Sequence, residues 1–500
     1  MLLLGIDLGT TALKAVAFNE RGVQAAEASV EYNLLTPAPD WVEAEPETYW
    51  RSLKTALRDL GRACDLKSIE AIGFSAQGET LFFLDEEGRP LRNAIVWMDN
   101  RAKAEAKCLA ERFGNDACYR ITGQVSFEPC WPAAKVLWVR KHEPEVFRRT
   151  RKIALIEDYL IYKMTGEFVS EGSLLTSTAY WNLQTRRYWP EMLDVLGIDA
   201  SMLPRVCESG ELIGEMREAV AKDLGLSEHV RVVTGALDQA AGAIGVGNVR
   251  PGMFSENIGA AMAICAIAPE LTYDPNGQMP VHYFAMPGQY MMHTFTSGGM
   301  NLRWFRDAFC HTERAMADLL HVSSYDLLSQ EAAKVSPGCD GMLMLPHLAG
   351  SMAPDLNANA KGVFYGFSLG HGKAHFVRAI MESLGFVLMR NIEALQAMNV
   401  SVSEIRSLGG GARSDVWNQI KADITGRRLV TFQCKEAASL GAAILAGKGL
   451  GLYRSVEEAC THMVAIDRSY EPNPEHREVY ENAYARYRKL FDSLLEMFET

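Results

Sequence analysis

The 500-residue chain lacks the sequence patterns of a cysteine-based metal site and of a secreted protein. Its ten cysteines include no C-x-x-C pair, which disfavours a zinc site and a disulfide framework and is typical of the reducing cytosol. The apolar start Met1–Leu4 has no basic segment and is interrupted by Asp7, so we predict no signal peptide. We therefore expect a cytoplasmic protein.

A predicted membrane span and an excess of basic residues are missing as well. The uncharged stretch 275–302 contains Pro280, Pro287 and several glycines, which makes it a poor membrane span. The net charge of −12 disfavours nucleic acid or an anionic membrane as the main partner, because both attract basic surfaces. The apolar content of 48% is typical of a globular protein, and the length predicts two large domains.

What the sequence does contain is an ordered pattern of strands and helices. Short apolar runs alternate with turns at Gly9–Thr11 and Asn19–Gly22, and an amphipathic helix at Pro46–Arg62 precedes a strand at Ile69–Ser75. Hairpin strands followed by alternating helix and strand predict the actin-like (ribonuclease-H-like) ATPase core.

The second half begins in a similar way. Hairpin strands are predicted around Gly259, and the strand Ile405–Leu408 precedes a glycine-rich loop. Pro474–Phe498 is predicted as one amphipathic C-terminal helix. The predicted fold class is α/β, with two actin-like domains, residues 1–245 and 246–500, and a cleft between them.

The first candidate site is the turn within Gly5–Lys14, which reads G-I-D-L-G-T-T-A-L-K. Such a turn points amides and hydroxyls at one spot, as phosphate oxygens require. Asp7 at the end of a buried strand is suited to a hydrated Mg²⁺, which takes few protein ligands. The same pattern is also a common hairpin turn in which aspartate accepts backbone hydrogen bonds, so both interpretations stay open.

The second candidate is Asp238, within T-G-A-L-D-Q-A-A-G at 234–242. It follows a predicted strand and begins a helix of small residues, so a helix N-cap is the simpler interpretation. The alternative is a general base that accepts the proton of a primary hydroxyl as it attacks a phosphoryl group. The small neighbours leave room for a substrate, and the two functions are compatible.

The third candidate is the loop Leu408–Ser414, which reads L-G-G-G-A-R-S. It follows a predicted strand and opens a helix, an arrangement that lets a nucleotide approach the backbone closely. The loop by itself specifies no particular nucleotide.

Further motifs accompany these three in order: A-I-V-W-M-D-N-R-A at 94–102, D-Y-L-I-Y-K-M-T-G-E-F at 158–168, S-G-G-M-N-L-R-W-F at 297–305 and E-A-A-S-L-G-A-A at 436–443. With them the chain resembles, nearly end to end, the FGGY carbohydrate kinases, the family of xylulokinase, gluconate kinase, ribulokinase and glycerol kinase. The resemblance implies phosphoryl transfer from ATP, with Mg²⁺, to a primary hydroxyl of a small sugar. A pentulose such as xylulose is the first candidate acceptor, and glycerol, erythritol and gluconate are alternatives.

The resemblance also implies functions for individual residues. Asp238 corresponds to the catalytic base, and Asp7 to the acidic residue near Mg²⁺ and the transferred phosphoryl group. The implied ATP-binding residues are Gly9, Thr10, Thr11, Lys14, Gly259, Gly410, Gly411, Ala412 and Asp415. The implied sugar-binding residues, besides Asp238, are Gln77, Gly78, Glu79, Trp97, Asp99 and Arg101. Trp97 as a core residue and Arg101 as a structural ion pair remain open alternatives.

Two positions depart from the family pattern. The second phosphate loop, usually G-T-S-G, reads G-A-A-M at 259–262, so two hydroxyls are absent and weaker ATP binding is expected. Gly78 stands where glycerol kinases have arginine, which predicts a larger pocket and favours a pentulose or a similar polyol. The alternative from another class is a catalytically weak, actin-like sugar or nucleotide sensor. The oligomeric state stays open, with a homodimer as one candidate.

Overall fold

Each half of the chain is built on a seven-stranded sheet in the computed structural model, which describes residues 1–499. The strands, in chain order, are β1 (Leu2–Leu8), β2 (Ala12–Phe18), β3 (Gln24–Glu31), β4 (Glu43–Ala44), β5 (Ile69–Ala76), β6 (Leu81–Leu84), β7 (Ala94–Ile95), β8 (Lys152–Leu155), β9 (Val169–Glu171), β10 (Trp181–Asn182), β11 (Arg187–Tyr188), β12 (Arg205–Cys207), β13 (Leu212–Glu215), β14 (Arg231–Val233), β15 (Ala236–Leu237), β16 (Gly252–Ile258), β17 (Ala261–Ala268), β18 (Val281–Tyr283), β19 (Tyr290–Ser297), β20 (Leu343–Leu345), β21 (Val363–Tyr365), β22 (Val402–Gly409), β23 (Arg428–Phe432) and β24 (Ile466–Tyr470).

Helices separate and cover these strands. In chain order they are α1 (Pro46–Leu60), α2 (Lys103–Phe113), α3 (Asn115–Thr122), α4 (Pro132–His142), α5 (Pro144–Arg149), α6 (Ile156–Thr165), α7 (Gly172–Leu175), α8 (Pro190–Leu196), α9 (Glu218–Asp223), α10 (Asp238–Gly245), α11 (Met300–Phe309), α12 (His311–Leu320), α13 (Ser324–Ala332), α14 (Lys373–Ala397), α15 (Asp415–Thr425), α16 (Ala437–Gly449), α17 (Val456–Met463), α18 (Arg477–Ser493) and α19 (Leu495–Phe498). Within residues 1–499, no helix combines the length and the apolarity that crossing a membrane requires.

The two large sheets share one strand order. The first runs β13-β14-β5-β1-β2-β3, with β15 paired to β5, and the second runs β18-β19-β17-β16-β22-β23-β24. In each, three antiparallel strands (β1–β2–β3 or β16–β17–β19) are joined through the first of them to a parallel strand, β5 or β22. Parallel strands need crossover connections, and helices supply them here. This repeated topology confirms the predicted actin-like fold in both halves.

Central strands are buried because helices cover the sheets. β1 is an almost continuous apolar run, as expected of a strand that is covered on both faces, and Leu3, Leu4 and Ile6 have no exposed surface. The predicted strand Ile69–Ser75 is β5, which ends one residue later. β1 and β5 pair in parallel over their whole length, so their carboxyl ends lie at the same edge of the sheet.

One prediction of the helices is wrong. The C-terminal segment is not a single helix from Pro474 to Phe498, because a 3₁₀ turn occupies Pro474–His476 and the helix α18 ends at Ser493. Leu494, with φ −106° and ψ 0°, has left the helical conformation before the short α19 begins. The amphipathic pattern continues across this break, and so the pattern could not reveal it.

Two helices rich in small residues, α10 and α16, form a close contact between the halves. α16 packs on α10 and on the strands β1 and β5 of the first sheet, although it comes from the second half of the chain. A Cβ atom placed on Gly441 would lie 1.9 Å from the carbonyl oxygen of Ala241. A Cβ on Gly5 would lie 1.8 Å from the carbonyl oxygen of Ser439. The backbones touch at both points, and only glycine fits there.

Gly441→Val is therefore expected to destabilise the protein. The added side chain would overlap the α10 backbone, and overpacking of this kind costs about 1–3 kcal/mol or more. The measurement is the thermal unfolding midpoint, which we expect to fall. The control is Gly242→Ala on α10, where a Cβ would meet no atom within 4 Å and the midpoint should not fall. Equal midpoints for Gly441→Val and the wild type would show that the two helices do not pack this closely.

Candidate active site

The sheet topology brings the two predicted catalytic aspartates together. Asp238 is the first residue of α10 and directly follows β15, whose residues pair in parallel with Ser75 and Ala76 of β5. On the other side of β5, Asp7 of β1 pairs with Ser75. The carboxyl ends of three parallel strands thus meet at one edge, a usual place for ligand sites in α/β folds. Asp7 and Asp238 line one cavity of about 240 Å³ there.

Asp238 has the protonation behaviour of a base that works near neutral pH. Burial, assisted by the charges of Asp7 and Glu79, raises the pKa of its carboxyl to about 7. Its Oδ1 accepts the N–H of the next residue, Gln239, at 2.7 Å. The helix N-cap is Leu237 and not Asp238, so the simpler interpretation of this aspartate as a helix cap is wrong. A carboxyl with a pKa near the working pH is suited to proton transfer.

Asp7 is the residue best placed to hold a divalent cation. Its Oδ1 accepts the hydroxyl of Ser75 at 2.7 Å, and burial raises its pKa against the opposing effects of Ser75 and Lys14. Within residues 1–499, no cluster of three or more potential metal-binding side chains forms a cage. A hydrated Mg²⁺ needs one or two carboxylates and otherwise takes water and substrate phosphate oxygens, so the single carboxylate of Asp7 fits this ion.

The predicted first phosphate loop is a tight turn at the cavity wall. The N–H of Gly9 donates to the carbonyl of Ala12 at 3.1 Å, which closes the turn between β1 and β2. The indole Nε1 of Trp97 donates to the Thr10 hydroxyl at 2.8 Å. Trp97 is 38% exposed, so the interpretation of this residue as core is wrong. The loop and a predicted sugar-site residue are in direct contact.

Lys14 connects the two halves. Its ammonium lies 2.6 Å from Oε2 of Glu436, in the loop before α16. The sequence shows the motif that begins at Glu436 but does not predict the ion pair between Glu436 and Lys14. Lys14, Glu436 and Gly9 all line the same cavity as Asp7 and Asp238. The ammonium group of Lys14, predicted to lie beside the phosphate loop, therefore forms an ion pair with a carboxylate from the other half.

A second cavity of about 600 Å³ lies in the C-terminal half, with a largely apolar lining. It is lined by Ile258, Gly259, Ala260, Gly299, Met300, Leu302, Arg303, Ser323, Tyr325, Asp326, Ser329, Gly410, Gly411, Arg413, Ser414 and Trp417. A Cβ atom on Gly259 or Gly410 would come no nearer than 3.9 or 3.7 Å to another residue, so a side chain there would occupy open space at the cavity. This volume and lining suit the flat, weakly polar body of a nucleoside.

Two residues of the predicted adenosine loop, Ala412 and Asp415, lie outside this lining. The Asp415 carboxylate forms an ion pair with Arg468 and accepts the Tyr470 hydroxyl at 2.6 Å. The Ala412 carbonyl accepts the side-chain amide of Asn418 at 2.8 Å. Three further lining residues were not predicted from the sequence: Met300, Tyr325 and Trp417. For Met300 a signal was present, because it lies within the S-G-G-M-N-L-R-W-F motif.

The predicted sugar-site residues separate into two groups. Asp99 and Arg101 form a fully buried ion pair at 2.8 Å, and Arg101 also pairs with Glu43 and lies over the Trp41 ring. These two charges satisfy each other, so the structure places them in a structural cluster and not on an open surface. These contacts favour the alternative interpretation of Arg101 as a structural ion pair.

Gln77, Gly78 and Glu79 directly follow β5, at the edge of the sheet that carries Asp7. The N–H of Gln77 donates to the carbonyl of Leu8 at 3.0 Å, one residue from Asp7. Glu79 has φ 56°, an unusual conformation for a side chain other than glycine and one that is found at functional sites. A Cβ on Gly78 would lie 3.1 Å from both the Leu237 side chain and the Ser177 hydroxyl. Gly78 therefore permits close packing here, and position 78 has little free space around it.

A buried lysine that sequence reasoning missed supports this region. Lys135 of α4 donates through Nζ to the carbonyls of Glu79, Val96 and Trp97 at 3.2, 3.0 and 3.3 Å. Burial lowers its pKa to about 8. One ammonium group thus fixes the two loops that carry Glu79 and Trp97. No local signal marks this lysine, because its partners are backbone carbonyls far away in the sequence.

Family models match both halves of the chain. The model described as the N-terminal domain of the FGGY family of carbohydrate kinases matches residues 2–245, and the model of its C-terminal domain matches residues 265–450. The chain belongs to this family. It is therefore an ATP-dependent carbohydrate kinase, as the order of its motifs predicts.

Individual FGGY kinases resemble the chain over nearly its full length. The xylulose kinase of Bacillus subtilis is 31% identical over 493 residues, which are 98% of this chain and 96% of the relative. The gluconokinase of the same organism is 31% identical over 90% of this chain and 87% of its own length. The ligand-bound xylulose kinase of Lactobacillus acidophilus superposes with a TM-score of 0.88 at 28% identity, covering 99% of this chain and 98% of that one.

Proposed function

We propose that this kinase phosphorylates a primary hydroxyl of a pentulose, with xylulose as the first candidate, and that Asp238 is the general base. The observation that carries the proposal is that Asp238 and Asp7 line one cavity at the carboxyl edge of the first sheet, with the predicted phosphate loop beside them. The similarity to xylulose kinases supports the acceptor.

The proposed transfer places the nucleoside and the acceptor at opposite ends of one path. The nucleoside occupies the cavity lined by Gly410 and Tyr325, and the phosphates extend past Gly259 toward Gly9. The helix α10 begins at Asp238 in the wall of the cavity, and the positive end of a helix dipole stabilises negative charge that develops nearby. The Asp238 carboxylate accepts the proton of the sugar hydroxyl while the oxygen attacks the γ-phosphoryl group.

The proposal includes Mg²⁺ near Asp7. When bound, the ion would neutralise charge on the phosphate oxygens and help to orient the nucleotide. The hydrogen bond from Ser75 orients the Asp7 carboxylate, and Asp7 and Asp238 line the same cavity. The expected cytoplasmic location is part of the same proposal, and the ten cysteines, all in the free thiol form, support it.

The proposal also includes a division of the chain into two domains, residues 1–245 and 246–500. The boundary follows α10 directly, and the cavity that holds Asp7 and Asp238 is also lined by Asn257 and Gly409 from the second half. Residues from both halves therefore enclose the reacting groups. Closure of such a cleft around both substrates excludes water, which would otherwise compete with the sugar hydroxyl as the phosphoryl acceptor.

The test is a panel of acceptors incubated with ATP and Mg²⁺, with ADP release and the mass of the product as readouts. We expect xylulose to give the highest kcat/KM, above ribulose, erythritol, glycerol and gluconate. A higher kcat/KM with another acceptor would replace xylulose and leave the kinase assignment in place. Sugars that raise the melting temperature without any ADP release would instead identify the sensor, the alternative that the missing hydroxyls at Ala260 and Ala261 favour.

A further inference from the structure

The three residues before Asp238 are Gly235 and the two residues of the short strand β15, which pairs with β5, and we call this segment, Gly235–Leu237, the base turn. Oε1 of Glu157, on α6, accepts the Gly235 N–H at 2.7 Å. The Ser173 hydroxyl oxygen accepts the Leu237 N–H at 2.9 Å. Buried side chains thus hold both ends of the turn that presents the proposed base. Buried backbone groups need such partners, and strands alone do not supply them here.

The base turn has no room to move toward the sheet. A Cβ placed on Gly235 would lie 2.0 Å from the carbonyl oxygen of Phe74 in β5. The turn therefore lies between the β5 backbone on one side and Glu157 and Ser173 on the other. The position of the base turn therefore determines where α10 begins and where Asp238, its first residue, lies.

A neighbouring carboxylate, Glu171, orients the Ser173 hydroxyl. Glu171 accepts the N–H groups of Ser173 and Leu174, both at 2.7 Å, and the hydroxyls of Ser173 and Ser209 at 2.8 and 2.6 Å. With its hydrogen donated to Glu171, the Ser173 hydroxyl presents a lone pair to Leu237. Four donors stabilise the negative charge on Glu171.

Glu157 lies in a different environment. It is fully buried, it has no ion-pair partner within residues 1–499, and its Oε2 has no hydrogen-bond partner there. Burial and the charge on Glu171 raise its pKa well above the ordinary value. Burial also raises the pKa of Glu171, but the hydrogen bonds that Glu171 accepts oppose this shift. Glu157, through Oε1, presents an acceptor oxygen to the base turn.

We propose that Glu157 is a positioning residue for Asp238, acting through the Gly235 N–H, with Ser173 as its counterpart at Leu237. The inference rests on the proposed function of Asp238 as the base. Loss of the acceptor at Glu157 leaves a buried N–H unsatisfied and loosens the Gly235 end of the segment, while Ala236 and Leu237 stay paired with β5. An error of about 1 Å in the position of a reacting group costs roughly 10²-fold in rate.

The experiment compares three variants in the full-length protein with the best acceptor of the panel. Glu157→Leu should lower kcat by roughly 10- to 100-fold, with the KM for ATP unchanged. Glu157→Gln keeps a neutral acceptor oxygen of the same shape and should restore kcat to within about threefold of the wild type. Ser173→Ala should lower kcat in the same direction as Glu157→Leu, because it releases the other end of the turn.

The control is Glu105→Leu, which removes another buried carboxylate of the N-terminal half, one whose partners are Lys141 and His142. It should keep the wild-type kcat. A Glu157→Leu variant with wild-type kcat, or a Glu157→Gln variant as slow as Glu157→Leu, would overturn the proposal. If Glu157→Leu does not fold, Ser173→Ala decides, and its wild-type kcat would overturn the proposal. Sugar-dependent turnover by Asp238→Asn would show, separately, that Asp238 is not the base.

Discussion

Asp238→Asn is expected to lower kcat by about 10²–10⁴-fold, the usual contribution of a positioned general base. The amide has the same shape and still accepts the Gln239 N–H, but it cannot take the proton of the sugar hydroxyl. ATP affinity should not change, because the nucleoside cavity lies elsewhere. Steady-state ADP release measures the first effect, and calorimetric titration with ATP measures the second.

The matched control is Asp199→Asn, since Asp199 also accepts a backbone N–H at a helix start, that of Ser201 at 2.8 Å, and lies outside both cavities. It should keep the wild-type rate. Normal sugar-dependent ADP release by Asp238→Asn would refute the assignment of the base.

The pH profile of the wild type gives an independent check on Asp238. The pKa of its carboxyl is raised to about 7, and only the carboxylate form can accept a proton. We therefore expect kcat/KM to be level above about pH 7 and to fall about tenfold for each pH unit below it. A profile that stays level down to pH 5 would be incompatible with this environment for the base.

Asp7→Asn is the second substitution with a large expected effect. The substitution would weaken the binding of the Mg²⁺ that neutralises charge on the phosphate oxygens, and loss of such electrostatic stabilisation typically costs roughly 10²–10³-fold in kcat. The neutral amide also binds cations poorly, so the Mg²⁺ concentration for half-maximal activity should rise. Because the charge of Asp7 contributes to the raised pKa of Asp238, the acidic limb of the pH profile should also move to lower pH.

Ser75→Ala is the control for this second prediction. It removes the hydroxyl that donates to Asp7 Oδ1 and keeps the carboxylate, so the loss of kcat should be smaller and the Mg²⁺ requirement should change little. An unchanged Mg²⁺ requirement in Asp7→Asn would show that this carboxylate does not assist the metal, and the proposed cation site would have to be abandoned.

The sequence predicts the fold well because both sheets depend on local patterns. Apolar runs such as Leu2–Leu8 and the turns between them mark the hairpins, and the helix–strand alternation that follows marks the parallel strands. Errors occur where the backbone departs from regularity without a change in residue pattern. The break at Leu494 is one example, since the apolar spacing continues on both sides of it.

The candidate site was predictable only in part. Asp7 and Asp238 stand out because Asp7 lies near the end of a strand and Asp238 directly follows one, each within a recognisable motif. The structure brings the two into one cavity. Asp99 and Arg101 lie in an equally recognisable motif, yet their charges are satisfied within a buried cluster. Motif membership therefore does not distinguish a residue that lines a pocket from one that supports the pocket.

The sequence by itself determined the family, the two-fold repetition of the sheet pattern and the identity of the two central carboxylates, because these depend on the order and spacing of residues along the chain. The tertiary structure alone decided which groups surround them. Glu157 reaches Gly235 and Lys135 reaches Glu79 across 78 and 56 positions of sequence. Such partners meet only when separate elements pack together, and packing sets the pKa of Asp238 and the position of its turn.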